Sequence, residues 1–588
     1  MPLYRPLAIV FVTLLFFVLS PRADAQEESS AVPAAGERQP VALVGGTLIH
    51  PERAPQPDAT ILIDGGTIQA VGSSEQVDIP PGTRTVDIRG KYVVPGLIDG
   101  HVHFFQSGGL YTRPDVLNLQ AVRSHAEEMQ RIRDRLPDTF RRYLRSGITS
   151  VVDAGGPMWN LDVRTQADTT ARAPTVVTAG PLISSVSRPS LSEGDPPIKK
   201  ITTPQAAREE VQQQVEAGVD LIKIWYIVPS GESPAAYRPV VDAAIEAADD
   251  AGRRVAVHAT QLETARAAVE AGADVLVHSV FDAPVDEAFV QLLLDREVLY
   301  VPTLMVRERY RETFAGELDL TAVEHRIAQK DVVGSLFDFY ALPDSVVPAG
   351  IRQRLTQDVG VPSDTVAMQN LRRLHEAGVA VAAGTDAGNI GTPHGPALHR
   401  EMELMREAGL SPRDILQTAT VGGARLMGRD DRGRIEAGRK ADLIVVDDNP
   451  LDNVDHLFTA HRIVKTGRVY RPNDLLPRTP REVVGQWMNA VNARDVGGAL
   501  DAMADSVVVE DVLGIASARG AEPVRDRVAG LFRSAPGLHV EAERWAVRDR
   551  TVQVDVAVTG HPDAPARERQ RLRIRLDADG FIASIERR

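Results

Sequence analysis

Two histidines stand two positions apart at the end of an apolar run, Val93-Val94-Pro95-Gly96-Leu97-Ile98-Asp99-Gly100-His101-Val102-His103. On an extended strand, side chains at i and i+2 share a face. His101 and His103 can therefore grip one metal ion through two imidazole nitrogens. Four more candidate groups follow on later apolar runs. Lys223 lies in Leu221-Ile222-Lys223-Ile224-Trp225, and His258 follows Val255-Ala256-Val257. His278 follows Val275-Leu276-Val277, and Asp386 ends Gly384-Thr385-Asp386. Alone, His258 or His278 reads as a packed core histidine. Six polar groups at strand ends are costly to bury without a shared purpose. Lysine is also scarce, with seven against 66 Lys and Arg together, so one inside an apolar strand stands out.

The elements that must position these groups alternate between strand and helix. Apolar strands are expected at 92–98, 148–153, 175–179, 221–226, 254–258, 274–278, 298–303 and 379–385. Helical patterns such as 264–271 and 368–377 lie between them. Near-continuous apolar runs suit parallel strands covered on both faces. Eight β/α units over about 340 residues fit an α/β fold of the TIM-barrel kind with insertions, whose functional side chains stand at the C-terminal ends of the strands. A doubly wound open sheet is the alternative. The stretch from 306 to about 370 is long for one connection and should form helices over the barrel mouth. Short strand patterns with turn residues at 41–49, 60–63, 67–71 and 83–87 return in texture at 441–447 and 462–470. A proline-bearing linker at 471–480 precedes an α+β domain at 481–588, which opens with an amphipathic helix at 481–493 and continues in alternating strands such as 551–559 and 571–577.

Bulk properties narrow the function. The chain has 588 residues, 43% of them apolar, which suits a multidomain globular protein. A net charge of −14 and no basic tract argue against nucleic acid as a partner. The absence of cysteine excludes disulfides, thiolate ligands and a catalytic thiol. Arg5, the apolar run at 7–19 and Ala23-Asp24-Ala25 read as an export signal over 1–25, followed by a linker at 26–40. The apolar run is shorter than the roughly 20 residues of a bilayer span. The mature chain is expected to begin near Gln26, in a periplasmic or secreted setting with no membrane span; an uncleaved anchor is the alternative.

With His-x-His, the strand lysine, two later histidines and Gly-Thr-Asp, the chain resembles the amidohydrolase superfamily, in its imidazolonepropionase/prolidase-like branch of metal-dependent hydrolases. The resemblance runs from about Val41 to Tyr470. It includes Thr418-Ala419-Thr420 and the stretch Gly433-Arg434-Ile435-Glu436-Ala437-Gly438-Arg439-Lys440-Ala441-Asp442-Leu443. It implies a composite β-sandwich from 41–91 and 430–472 flanking a (β/α)8 barrel at 92–429. It also implies a binuclear site, with zinc as the expected metal. His101, His103 and Asp386 would hold one ion, His258 and His278 the other, and Lys223 would bridge them as a carbamate. Physical chemistry favours the modification: an ammonium beside two divalent cations is strongly disfavoured, whereas a carboxylated lysine is an anion with two oxygens. An unmodified Lys223 facing a substrate carboxylate beside a single metal is the alternative.

The implied reaction is hydrolysis of a C–N amide bond in a small molecule, namely a dipeptide, N-acyl amino acid or cyclic amide. A hydroxide between the metals would attack, and Asp386 would act as general acid and base. Tyr226 and His394 are candidate substrate contacts; Glu401 and His399 lie in the same loop region as His394. His125 reads as solvated, and no arginine is assigned to a substrate carboxylate. After Lys223 the chain runs Tyr226-Ile227-Val228-Pro229-Ser230-Gly231, where related dipeptidases often carry a Gly-rich turn. A one-metal deaminase is a second reading, although Ala259, Thr260 and Gln261 stand where such sites usually place a glutamate. A non-catalytic ligand-binding protein is a third. The 481–588 stretch resembles the nuclear transport factor 2-like/SnoaL-like fold, which implies an accessory binding role or a homo-oligomer.

Overall fold

A computed structural model describes residues 39–358, 364–476, 479–494, 496–513, 516–560, 567–577 and 580–588. The export signal read from the sequence, and its linker up to residue 38, lie outside the described residues. Among the described residues no helix is long and apolar enough to cross a membrane.

The protein is mixed α/β. An eight-stranded sheet gathers both flanks of the central segment. Val41–Leu48 pairs antiparallel with Gln56–Asp64, which pairs with Thr67–Ser73. On its other side Val41–Leu48 runs parallel to Tyr92–Pro95 and Arg84–Asp87. Leu443–Val446 returns to lie antiparallel to Tyr92–Pro95. The single strand expected at 462–470 is instead a hairpin, Ala460–Lys465 and Arg468–Tyr470. Thr466 and Gly467 turn it, with φ of 48° and 78°. That left-handed pair matches the twist of the strands it joins.

The central segment builds two parallel sheets. Leu97–Val102, Ile148–Asp153 and Thr175–Thr178 form one. The other runs Ile198–Lys200, Leu182–Ser184, Leu221–Trp225, Arg254–His258, Val275–Val277, Leu299–Val301. Single parallel bridges join Ala179 to Leu221, Tyr300 to Val381 and Val102 to Ala387. The strand expected at 379–385 is therefore not a regular strand; it meets its neighbours only at isolated points. Close approach explains this: a Cβ on Gly384 would stand 2.9 Å from His101 Cβ and 2.7 Å from Val301 Cγ1. One apolar cluster draws side chains from all eight segments, including Ile98, Val152, Val177, Leu221, Ala256, Val275, Leu299 and Ala382. Ala424, Leu426 and Met427 belong to it as well. The long connection after Leu299–Val301 is helical, as Leu304–Ala315, Ala322–Ile327, Lys330–Leu336, Asp338–Ala341 and Ala349–Asp358.

The C-terminal part has its own core around Trp487. Its opening helix, Pro480–Ala493, starts at a capping box between Thr479 and Glu482. Four long strands, His539–Arg548, Thr551–Thr559, Glu568–Leu576 and Ile582–Arg587, pair antiparallel in chain order. Glu568–Leu576 alternates buried and exposed positions along most of its length, as a sheet with one wet face requires.

Candidate metal centre

Strand alternation decides which side chains can meet. In Leu221–Trp225, Leu221 joins the inner cluster while Ile222 and Ile224 pack outward. Lys223 and Trp225 share Leu221's parity and face inward with it. His258 likewise shares parity with Ala256, an inner residue.

Two backbone irregularities re-aim the remaining histidines. In Leu97–Val102, the three steps from Asp99 to Val102 oppose two from Val151 to Asp153. That bulge shifts the alternation begun at Ile98, so His101 and His103 turn inward. His278 follows inward-facing Val277 and by strict alternation would point out. Its φ of 75° breaks the alternation and brings its ring 4.3 Å from that of His258.

The six groups converge. His103 Nε2 lies 3.2 Å and His101 Nε2 3.5 Å from Asp386 Oδ1. Candidate ligand atoms of these three residues all lie within 4.8 Å of one another. The rings of His101 and His278 are 5.0 Å apart. His103, Lys223, His258, His278 and Asp386 line one cleft of about 160 Å³. Lys223 Nζ and Asp386 Oδ1 in this cleft, and His101 Nε2 beside Asp386, are buried without a hydrogen-bond partner. Buried polar atoms are rarely left so. Nitrogen and carboxylate donors with free lone pairs fit divalent cations such as zinc.

Supporting bonds fix the donors. His103 Nδ1 lies 2.7 Å from Gly155 O, which can only accept, so Nε2 carries the lone pair. His278 Nδ1 lies 2.7 Å from Thr303 Oγ1. Asp99 is fully buried; its Oδ1 accepts from the backbone N–H groups of His101 and Thr385, and its Oδ2 from Thr385 Oγ1. It thereby ties the end of the first strand to the segment bearing Asp386.

Electrostatics follow from burial. Desolvation brings Lys223 down to about 7, with Asp386 opposing the shift. Desolvation and then Lys223 bring His101 down to about 3. The same two effects act on His258; His278 is lowered well below its usual range by burial and by His258. All three are neutral imidazoles at neutral pH, the form that binds metal. Burial works to raise Asp386; a proton on the facing ring nitrogen of His101 or His103 lowers it well below the usual carboxylate range, a proton that a bound cation would replace.

Neither candidate substrate contact lines this cleft. Tyr226 stands an odd number of positions from Lys223 and so faces outward; its hydroxyl donates to Pro234 O at 2.6 Å, and it lines a separate small pocket with Ser185 and Tyr237. His394 has both ring nitrogens engaged, Nδ1 with Tyr143 Oη and Nε2 with Gln106 O, each at 2.7 Å. It stacks on Phe104. His125 is half-buried rather than solvated, since Nδ1 is buried without a partner.

The cleft wall holds groups that sequence reasoning did not single out: Arg113, Trp225, Tyr310 and Asn389. Arg113 makes a two-pronged bond with Asp115, at 2.8 and 2.7 Å, and also bonds Asn389 Oδ1. Tyr310 donates to the same Asn389 oxygen at 2.9 Å. Arg188 lies 3.6 Å from Asp115 and stacks over Trp225. Asn389 stands three residues beyond Asp386, the one signal that could have pointed to it. Arg113 sits in a loop without periodicity.

Two family models match the chain: the amidohydrolase family over residues 92–469 and the SnoaL-like domain over 484–585. An imidazolonepropionase from Myxococcus xanthus (strain DK1622) is 27% identical over 459 residues, covering 71% of this chain and 93% of that protein. The fold is shared with a Xaa-Pro dipeptidase crystallised with methionine in its active site, at 24% identity and TM-score 0.57, over 74% of this chain and all of that one. It is shared also with molinate hydrolase, at 22% identity and TM-score 0.58, over 76% of this chain and 97% of that one. The histidine-rich cleft and the match over most of the chain lead to one conclusion: this protein belongs to the amidohydrolase family of hydrolases acting on carbon–nitrogen bonds, and it carries a C-terminal SnoaL-like domain.

Proposed function

We propose that this protein is an exported, metal-dependent enzyme that hydrolyses the amide bond of a small, carboxylate-bearing molecule: a dipeptide, an N-acyl amino acid or a cyclic amide. The observation that carries this reading is the meeting of His103, Lys223, His258, His278 and Asp386 at one cleft, with His101 against Asp386 and His278, and with three polar atoms of these six residues unpartnered. His101, His103 and Asp386 would hold one divalent cation, and His258 and His278 a second. Lys223, a neutral amine above about pH 7, is suited to capture carbon dioxide and span both as a carbamate. Zinc suits such nitrogen and oxygen donors. When bound, the ions supply Lewis acidity and lower the pKa of water from 15.7 towards about 7.

The chain's own residues do the rest. Asp386, held ionised, takes the proton of the attacking water and delivers it to the leaving nitrogen. Arg113, fixed by Asp115 and Asn389, offers a cation to a carboxylate on the substrate. The similar Xaa-Pro dipeptidase and imidazolonepropionase support an amide substrate. Lys223 among the histidines favours two metals over the one-metal deaminase reading.

The parallel bridges Ala179–Leu221, Tyr300–Val381 and Val102–Ala387, and the cluster fed by all eight segments, support a closed (β/α)8 barrel. The N-terminal signal pattern supports a periplasmic or secreted location, and the acidic net charge a small-molecule partner rather than nucleic acid. The SnoaL-like domain would serve as an accessory binding or dimerisation unit.

Metal analysis of the purified protein, joined to a screen of dipeptides, N-acyl amino acids and lactams with and without chelator, tests this. Two ions per chain and chelator-sensitive hydrolysis are expected. Ammonia release from an amino-heterocycle would replace it with deamination, and no turnover of any amide with metal bound would favour a binding protein.

A further inference from the structure

His278 is the donor most dependent on its surroundings. Its backbone φ of 75° is left-handed, and nothing in regular strand alternation would turn its ring inward. Among the described residues its ring is hydrogen-bonded to Thr303 alone, Nδ1 to Oγ1 at 2.7 Å. Thr303 is itself unusual. It is a β-branched residue at φ 46° and ψ 54°, in the left-handed region where branched side chains are genuine outliers. It is buried and caps the helix Leu304–Ala315, yet its side chain makes no capping bond to that helix. The capping role is filled from elsewhere. The carboxyl group of Glu401, fully buried on the helix Ala397–Glu407, accepts from the N–H groups of Leu304 at 2.8 Å and Met305 at 2.9 Å. These are the first two N–H groups of a helix, which need an acceptor from outside the helix.

Glu401 therefore does what a threonine at the helix N-terminus ordinarily does, and Thr303 is released to bond the histidine. A strained threonine kept away from its natural partner, and held so by a buried carboxyl group about a hundred positions away, signals a function for that hydroxyl.

We propose that Thr303 is a positioning residue for the second divalent cation. By accepting from His278 Nδ1–H it fixes the imidazole tautomer and ring angle so that Nε2 presents its lone pair, while Glu401 clamps the turn that puts Thr303 there. The proposal rests on the two-metal reading given above. Outer partners of metal-bound histidines typically change metal affinity about 10- to 100-fold.

The test uses the full chain, stripped with chelator and titrated with zinc in the presence of bicarbonate, with bound metal counted after equilibrium dialysis and thermal melts of the stripped protein. Wild type is expected to bind two ions in two steps. Thr303→Val keeps the shape and removes the acceptor: the first step should be unchanged and the second weakened at least 10-fold. Thr303→Ser keeps the acceptor and sheds the branch, so the second step should stay within about threefold of wild type and the melting temperature should not fall. Glu401→Gln offers one acceptor oxygen in place of two and should weaken the second step in the same direction. A second step equally tight in Thr303→Val and wild type overturns the proposal and leaves the two-metal reading standing. Equal weakening of both steps reduces Thr303 to a structural role and overturns it too. An unchanged second step in Glu401→Gln removes Glu401 from the chain of support. A wild type that binds fewer than two ions refutes the two-metal reading itself.

Discussion

His103 Nε2 lies 3.2 Å from Asp386 Oδ1, although the two residues stand near opposite ends of the central segment. The contact exists because Asp99 ties their two backbones together and because Gly388, at φ 108°, brings the chain so close that a Cβ there would lie 2.5 Å from His103 O. Asp386→Asn keeps the shape and one oxygen but cannot cycle a proton. Metal content should stay near that of the parent, and kcat should fall by about 10²- to 10⁴-fold. Metal analysis beside steady-state kinetics checks this, and retained turnover would remove Asp386 from the acid–base role.

Lys223 sets a pH dependence. Its folded pKa, lowered to about 7 by burial, lies far below the ordinary lysine value. Between about pH 7 and pH 10 the unfolded chain thus holds a proton that the metal-free folded chain does not. Stability of the stripped protein should rise with pH through that window and be lost as pH falls through 7. Only the free amine can take up carbon dioxide, so zinc and bicarbonate should load the stripped protein faster at pH 8 than at pH 6. Lys223→Ala should lose most bound metal and recover part of it with a small added carboxylate. Unchanged metal content in that variant would dispose of the bridge.

Arg113 should decide between charged and neutral substrates. A hydrogen bond to a charged group contributes about 1.5–3 kcal/mol. Arg113→Gln should therefore cut kcat/KM for carboxylate-bearing amides by about 10- to 100-fold, mainly through KM. The matching methyl esters should change only a few-fold. Equal losses on both series would mean that the variant disturbs Asp115 and Asn389 rather than substrate recognition.

The convergence of the six groups was readable because polar residues recur in successive apolar runs: a histidine pair, a scarce lysine inside its strand, two later histidines and an aspartate. Tyr226 was expected at the substrate, but an odd step from Lys223 reverses the side, and the residue lies away from the cleft. What local sequence could not convey is broken periodicity. The bulge between Asp99 and Val102 and the left-handed turn at His278 both change which face a residue occupies, and neither has a composition cue beyond Gly100. Thr303 and Glu401 join through helix-end hydrogen bonding across almost a hundred positions, and Arg113 through a loop. Such pairings arise only when distant segments pack. The flanking sheet was expected as a sandwich from similar textures at 41–87 and 441–470; its pairing of Leu443–Val446 with Tyr92–Pro95 is a long-range register that no local pattern encodes.

That flanking sheet is fastened to the central segment by a buried cation. Lys465 Nζ donates to Asp442 Oδ2 at 2.8 Å, Thr175 Oγ1 at 2.8 Å and Thr149 O at 2.9 Å, so one ammonium links the hairpin strand to two parallel strands. Removing one partner of a buried pair costs about 3–5 kcal/mol, because the other charge stays behind unpaired. Lys465→Met should fall at the low end of that range, since Arg432, 3.6 Å away, and the Thr466 N–H, 2.7 Å away, still reach Asp442. The double variant with Asp442→Asn should lie closer to the parent than the single one does, because the one buried charge it leaves, Arg432, keeps its pairing with Asp431. Urea and thermal denaturation of the three proteins measure this coupling. A Lys465→Met protein as stable as the parent would show that the hairpin is held by its apolar face alone.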